Sequence, residues 1–96
     1  MAYFILEYEF VDGYVEKREP YRVEHLQQVE EAHERGEVVM AGALADDSNR
    51  GLLVWSVDDP GVAERFAATD AYVTNGIVQR WAVRPWNVVV GGAATT

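Results

Sequence analysis

The sequence predicts an α+β domain in which four strands and two helices follow the order β-α-β-β-α-β. Two observations lead to this order: four segments have the alternation or β-rich composition of strands, and two segments between them carry helix start and stop signals. With 96 residues, 49% of them hydrophobic, the chain suffices for one domain with a thin core. Because the two crossovers are helices of adequate length, we expect a ferredoxin-like arrangement, an antiparallel sheet with both helices on one face.

The first strand is predicted over residues 3–11, where large apolar side chains occupy every second position. This two-residue period is typical of a strand with one buried face. A charged segment then leads to Pro20, a residue suited to the first turn of a helix. The first helix should therefore run from Pro20 to residue 35, with Gly36 as its C-cap.

The middle of the chain predicts a hairpin followed by the second helix. Residues 38–44 and 51–57 are rich in β-branched and apolar side chains, and the loop between them contains Asp, Ser and Asn, which favour reversals. Asp58 provides an N-cap and Pro60 a first-turn residue. We therefore expect the second helix to extend to about residue 69.

The last segment begins with a polar turn at Asp70 and continues as a long strand. The strand is predicted over residues 77–90, interrupted by Pro85, a residue normally restricted to sheet edges or bulges. Residues 91–96, rich in Gly, Ala and Thr, should be a flexible C-terminal tail. We therefore predict a single domain over residues 1–90.

Charge and composition exclude several functional classes. Eight basic residues against sixteen acidic ones give a formal net charge of -8, which repels nucleic-acid phosphates and anionic membrane surfaces. The chain has no Cys, and its spacings match no zinc, phosphate-loop or dinucleotide pattern. We therefore expect no metal, no nucleotide cofactor, no nucleic-acid partner and no membrane contact. The N-terminus shows no export leader, so a cytoplasmic location is expected.

One face of the first helix combines apolar side chains with chemically active ones. At 100° per residue the inward stripe, with His25 at its edge, is formed by Arg22, Leu26, Val29 and His33. Arg22 in that position either pairs with a carboxylate or faces a pocket that receives an anion. We expect His33 to be a buried imidazole bonded to the backbone, and His25 to reach a pocket.

His25 and Asp70 are the best candidates for acid–base chemistry. Imidazole exchanges protons near neutral pH, and a carboxylate beside it would fix its tautomer. The residues alone leave two interpretations open, since His25 can equally be a partly buried structural histidine and Asp70 can simply cap its turn. The aromatic residues Tyr8, Tyr72 and Trp81 could line a cavity, or they could be core or dimer contacts.

These residues resemble the YciI-like, or YCII-related, family of small α+β proteins. Arg22 stands three residues before His25 at the start of the first helix, as in the family, and Asp70 with Tyr72 matches the family's Asp-Pro-Tyr stretch. The resemblance covers residues 3–90. Two positions depart from it, because Val23 and Ala71 stand where the family often has proline.

The resemblance implies a histidine/aspartate catalytic pair, His25 with Asp70, and an arginine, Arg22, that holds an oxyanion. It also implies a homodimer of the dimeric α/β-barrel type, which agrees with the need to cover the open face of the sheet. Some relatives break down chlorinated aromatic compounds without a metal or nucleotide. The function implied is thus a lyase- or isomerase-like step on a small organic, possibly aromatic, substrate.

Two alternatives stay open at this point. The first is a non-catalytic module that binds a small ligand or a partner with the same fold, favoured by the departure at Ala71. The second, supported by fold analogy alone, is a cofactor-free monooxygenase. If the enzyme interpretation holds, replacing His25 or Asp70 should lower the reaction rate and leave the fold intact, whereas replacing His33 should chiefly cost stability.

Overall fold

The computed structural model describes residues 2–92 of the chain. Its elements, in chain order, are β1 Ala2–Phe10, α1 Tyr14–Lys17, a 3₁₀ turn Glu19–Tyr21, α2 Arg22–Glu34, β2 Val38–Ala43, β3 Arg50–Val57, α3 Gly61–Thr69, α4 Ala71–Thr74 and β4 Val78–Trp86. The strands form one antiparallel sheet in the order β2-β3-β1-β4. This is the predicted ferredoxin-like α+β fold.

The core lies between the helices and one face of the sheet. The alternation of β1 identifies this face. Phe4, Leu6, Tyr8 and Phe10 are buried, whereas the residues that alternate with them, Ile5, Glu7 and Glu9, are only partly buried. In the antiparallel register Phe4 lies opposite Trp55. Directly opposite residues point to the same face, so Trp55, which is fully buried, joins β3 to the same core.

The last strand is shorter than predicted. It ends at Trp86, which pairs with Tyr3 near the start of β1, so residues beyond Trp86 have no further strand to pair with. Pro85 is tolerated because β4 is an edge strand with β1 as its single neighbour. Of the predicted tail, Gly91 and Gly92 lie among the described residues, and residues 93–96 lie outside them.

Helix α2 begins later than predicted, and its inward stripe does not pack against a filled core. A 3₁₀ turn contains Pro20, and the α-helix starts at Arg22 and ends at Glu34, just before Gly36 in the left-handed conformation. Only Ala32 is buried among the residues of α2, and Leu26 remains 41% exposed. The stripe therefore faces an open cavity instead of a filled core.

The prediction that His33 is buried is wrong, although the predicted bond to the backbone exists. His33 is exposed, and its Nδ1 lies 2.7 Å from the carbonyl oxygen of Val38. A carbonyl can only accept, so His33 donates this hydrogen bond and joins the end of α2 to the start of β2. β2 is an edge strand, so among the described residues no further strand lies beyond it to cover the imidazole.

Within residues 2–92, no helix combines the length and the apolar character that crossing a bilayer would require.

Candidate active site

A cavity of about 390 Å³ lies between α2 and the β2–β3 side of the sheet. Small residues on these two strands create it: Ala41, Gly42 and Ala43 on β2 and Gly51 on β3 form its lining opposite the helix. A Cβ atom at Gly51 would lie 2.8 Å from Cζ of Phe10, so glycine there lets the Phe10 ring pack over the strand. The remaining lining consists of Tyr8, Phe10, Arg18, Arg22, His25, Leu26, Val29, Leu53 and Tyr72.

Asp70 is a fully buried carboxylate with three hydrogen-bond donors. Its Oδ2 accepts from the hydroxyl of Tyr8 at 2.6 Å, and its Oδ1 accepts from the backbone N–H of Tyr72 at 3.0 Å. The third donor is His25, whose Nδ1 lies 2.7 Å from Oδ1. Donors on both oxygens compensate for the loss of water around a buried charge.

Tyr8 serves as a permanent donor to this carboxylate. Burial raises the pKa of Tyr8 far above its ordinary value, and the charge of Asp70 and the hydrogen bond to it act in the same direction. The phenol therefore keeps its proton throughout the ordinary pH range. Tyr8 thus holds Asp70 from the side of β1, while the backbone of α4 holds it from the other side.

His25 is oriented on two sides. Its bond to Asp70 places the proton on Nδ1 of the neutral ring, so Nε2 is the nitrogen left for a molecule in the cavity. The imidazole also stacks on the ring of Tyr72, with centroids 3.7 Å apart and planes within 8°. With 13% of its side chain exposed, His25 borders the cavity without being free in solvent. Such a ring can take a proton from a bound molecule and return it.

The structure brings together five of the six residues predicted for the site. His25 contacts Asp70, and Tyr8, Tyr72 and Arg22 line the same cavity. Trp81 is the exception, because it lies on β4 with 38% exposure and is not among the lining residues. Its register partner Tyr8 is on β1, so Trp81 is one strand further from the cavity.

Arg18 is a lining residue that the sequence did not single out. It follows α1, a four-residue helix too short to show a periodic pattern. Its guanidinium carbon lies 5.4 Å from the ring centre of Tyr14, which in turn stacks on Phe10 at 4.4 Å. The one sequence signal was the spacing of four residues between Arg18 and Arg22.

A sequence model of the YCII-related domain matches residues 1–87. The chain belongs to the YCII-related family. Among curated protein sequences, none matches the chain.

Solved structures with the same fold include three of different description. A 5-chloro-2-hydroxyhydroquinone dehydrochlorinase from Burkholderia phenoliruptrix, in complex with 2,5-dihydroxybenzoquinone, aligns with a TM-score of 0.73 at 16% identity, over 88% of this chain and 92% of its own. A nipsnap family protein of unknown function from Agrobacterium tumefaciens aligns with a TM-score of 0.59 at 13% identity, over 99% of this chain and 94% of its own. An antibiotic biosynthesis monooxygenase aligns with a TM-score of 0.56 at 14% identity, over 94% of this chain and 100% of its own. At these identities the likeness concerns the fold.

In this YCII-related protein a glutamine supports the turn that carries Asp70. Gln28 accepts from the N–H of Ala71 at 2.9 Å and donates to the carbonyl of Thr69 at 2.8 Å. A proline at position 71 would have no N–H for the first of these bonds. Gln28 lies one helical turn after His25, so α2 positions both the imidazole and the turn of its carboxylate partner.

Among residues 2–92, no three His, Asp or Glu side chains come close enough together to hold a metal ion.

Proposed function

We propose that this YCII-related protein is an enzyme that carries out acid–base chemistry of a lyase or isomerase type on a small organic substrate. The observation that supports it is the 2.7 Å contact between His25 Nδ1 and the buried Asp70, with the opposite ring nitrogen available to the cavity. This arrangement is a base held in one tautomer by a carboxylate. We also propose that it works in the cytoplasm.

In the proposed step, Nε2 of His25 takes a proton from a hydroxyl group or an acidic C–H of the substrate. The negative charge of Asp70 stabilises the imidazolium that forms. The electron pair left on the substrate then either expels a leaving group as its anion, which is an elimination, or moves within the molecule. In the second case the imidazolium returns the proton to another atom, which is an isomerisation. Both routes use groups of this chain alone.

The substrate we propose is an aromatic or quinone-like ring. A cavity of about 390 Å³ falls in the range of small-molecule sites, and Tyr8, Phe10 and Tyr72 present aromatic surface to it. The Burkholderia relative that shares the fold is named as a dehydrochlorinase of a chlorinated hydroxyhydroquinone. Elimination of chloride from a hydroxylated chloroaromatic ring is therefore the first reaction to assay.

The expected result is release of chloride and a change in ultraviolet absorbance when the protein meets chlorinated hydroquinones, including 5-chloro-2-hydroxyhydroquinone. A panel of chlorinated and unchlorinated rings, measured with and without protein, separates elimination from spontaneous decay. Isomerisation would change the absorbance without chloride release. Saturable binding of the panel with no turnover of any member would reject the enzyme and favour the alternative, a non-catalytic ligand-binding module.

We further propose a homodimer that covers the face of the sheet opposite the helices. One part of this face is apolar, with Met40 and Trp86 at 66% and 45% exposure beside Val54. Another part carries ion pairs from Glu7 and Glu9 to arginines of β3 and β4. A single sheet layer leaves such an apolar area in water unless a second layer packs on it.

Sedimentation velocity at micromolar concentration should therefore give a species of twice 10.8 kDa. Met40→Glu places a charge in the apolar part of the face and should shift the protein toward monomer. Val23→Glu, at a position 79% exposed on α2, is the matched control and should leave the dimer intact. A wild-type protein that sediments as a single species of 10.8 kDa would contradict the proposal.

A further inference from the structure

Two arginines of this chain differ from all the others in having no carboxylate partner. The chain has seven arginines, and five of them form ion pairs with Asp or Glu side chains, namely Arg35, Arg50, Arg65, Arg80 and Arg84. Within residues 2–92, Arg18 and Arg22 form none. Both of them line the cavity.

This pairing pattern is unexpected for the composition. The chain carries sixteen acidic residues against eight basic ones, so carboxylates are available in excess. Guanidinium groups near acidic side chains readily form ion pairs, as the five surface arginines of this protein do. The two that remain unpaired lie in the same cavity, where partial burial makes an uncompensated positive charge unfavourable. A bound anion would supply the missing charge.

The same region contains hydrogen-bond donors that the protein leaves unused. Nε of Arg18 is buried without a partner among the described residues, and the hydroxyl of Tyr72 is buried there without an acceptor for its proton. Burial raises the pKa of Tyr72, although the positive charges of Arg18 and Arg22 and hydrogen bonding from Arg22 act against the shift, so its hydroxyl stays protonated as a donor. Arg18 is also held by its contact with the ring of Tyr14. Buried donors without acceptors are rare in folded proteins and call for an acceptor.

We propose that Arg18 and Arg22 form an anion-binding site in the cavity, so that the natural substrate is a small organic acid whose carboxylate lies between the two guanidinium groups. This rests on the proposed function, and it narrows the proposed aromatic or quinone-like substrate to one that carries a carboxylate. A carboxylate offers two oxygens with about four acceptor positions, enough for donors from two guanidinium groups and one phenol. The reacting part of the molecule then extends toward His25, on the next turn of α2 after Arg22.

Binding of benzoate and benzamide, measured by isothermal titration calorimetry, tests the site without any turnover. The two probes have nearly the same shape and differ in charge. We expect the wild-type protein to bind benzoate, and to bind benzamide at least about tenfold more weakly. Arg18→Met and Arg22→Met should each weaken benzoate binding about tenfold or more and leave benzamide binding unchanged.

Arg35→Met is the matched control, because it removes an arginine that pairs with Glu37 on the surface, and it should bind benzoate as the wild type does. If circular dichroism shows that Arg18→Met is unfolded, Arg18→Lys is the substitute. It keeps the positive charge without the planar guanidinium group, and its loss of benzoate affinity should be intermediate. The calorimetry needs no turnover, so a failure of the catalytic proposal is separable from a failure of this one. Absence of benzoate binding by the wild type, equal binding of the two probes, or equal behaviour of the variants of Arg18 and Arg35 would overturn the site.

Discussion

Replacing His25 with alanine is expected to lower the turnover number by about 10²- to 10⁴-fold, which is the usual contribution of a general acid or base. The physical reason is the position of the ring: Nδ1 is occupied by Asp70, and Nε2 is the nitrogen available to a substrate in the cavity. Removing the ring removes the proton acceptor without removing the carboxylate behind it. Steady-state kinetics on the substrate found with the ring panel gives the measurement.

The chain provides its own control for this experiment. His33 is the only other histidine, it lies on the same helix, and it is exposed with its Nδ1 on the carbonyl of Val38. His33→Ala should keep a rate close to that of the wild type and lose about 1 kcal/mol of stability with its hydrogen bond. A folded His25→Ala protein that retains full activity, or an equal loss of rate in both variants, would remove His25 from the mechanism.

Replacing Asp70 with alanine is expected to lower the free energy of unfolding by about 3–5 kcal/mol, because each buried donor left without an acceptor costs about 1–3 kcal/mol. Asp70 is fully buried, and its loss leaves the hydroxyl of Tyr8 and Nδ1 of His25 without their acceptor. Because small proteins have only about 5–15 kcal/mol of stability, this is a large fraction. The sequence alone predicted an intact fold for this variant, and complete burial is the reason to revise that expectation.

Asp70→Asn separates the structural role of this side chain from its chemical one. The amide keeps the size of the carboxyl and one acceptor oxygen, so it should cost less stability than alanine in urea denaturation. Its oxygen can take the place of Oδ1, which accepts from His25 and from the N–H of Tyr72, while its NH₂ group donates to the hydroxyl of Tyr8. Long-range ¹H–¹⁵N spectra of the histidine ring should therefore show the Nδ1–H tautomer in both proteins, while the variant loses the charge that stabilises the imidazolium and turns over more slowly.

Two results would contradict this account of Asp70. One is a loss below about 1 kcal/mol in Asp70→Ala, which is the net value of a single ordinary hydrogen bond. The other is a change of His25 to the Nε2–H tautomer in Asp70→Asn. Tyr8→Phe is the matched variant, since it removes one of the three donors to Asp70 and leaves His25 in place. It should destabilise the protein less than Asp70→Ala does.

The sequence by itself determined the order of the main strands and helices, and with the family resemblance it singled out His25 and Asp70 as a candidate pair. The alternation of residues 3–11 reports which face of β1 is buried, and the signals at Pro20, Gly36 and Pro60 place the helices, because strand and helix patterns depend on near neighbours in the chain. The spacing of Arg22 and His25 placed both on one face of α2, which is also a local property.

Only the tertiary structure decided what covers each of those faces. The stripe of α2 was predicted to face the core, and it faces a cavity because the strand residues beneath it, such as Ala41 and Gly51, are too small to fill the space. Trp81 was predicted to line the cavity, but the strand order places it on β4, on the far side of β1. The sequence did not distinguish Arg18 from the other charged residues around it. In the structure it lies over the ring of Tyr14, which stacks on Phe10, and these contacts hold it at the cavity. Pairing and packing join residues far apart in sequence, and no local pattern contains that information.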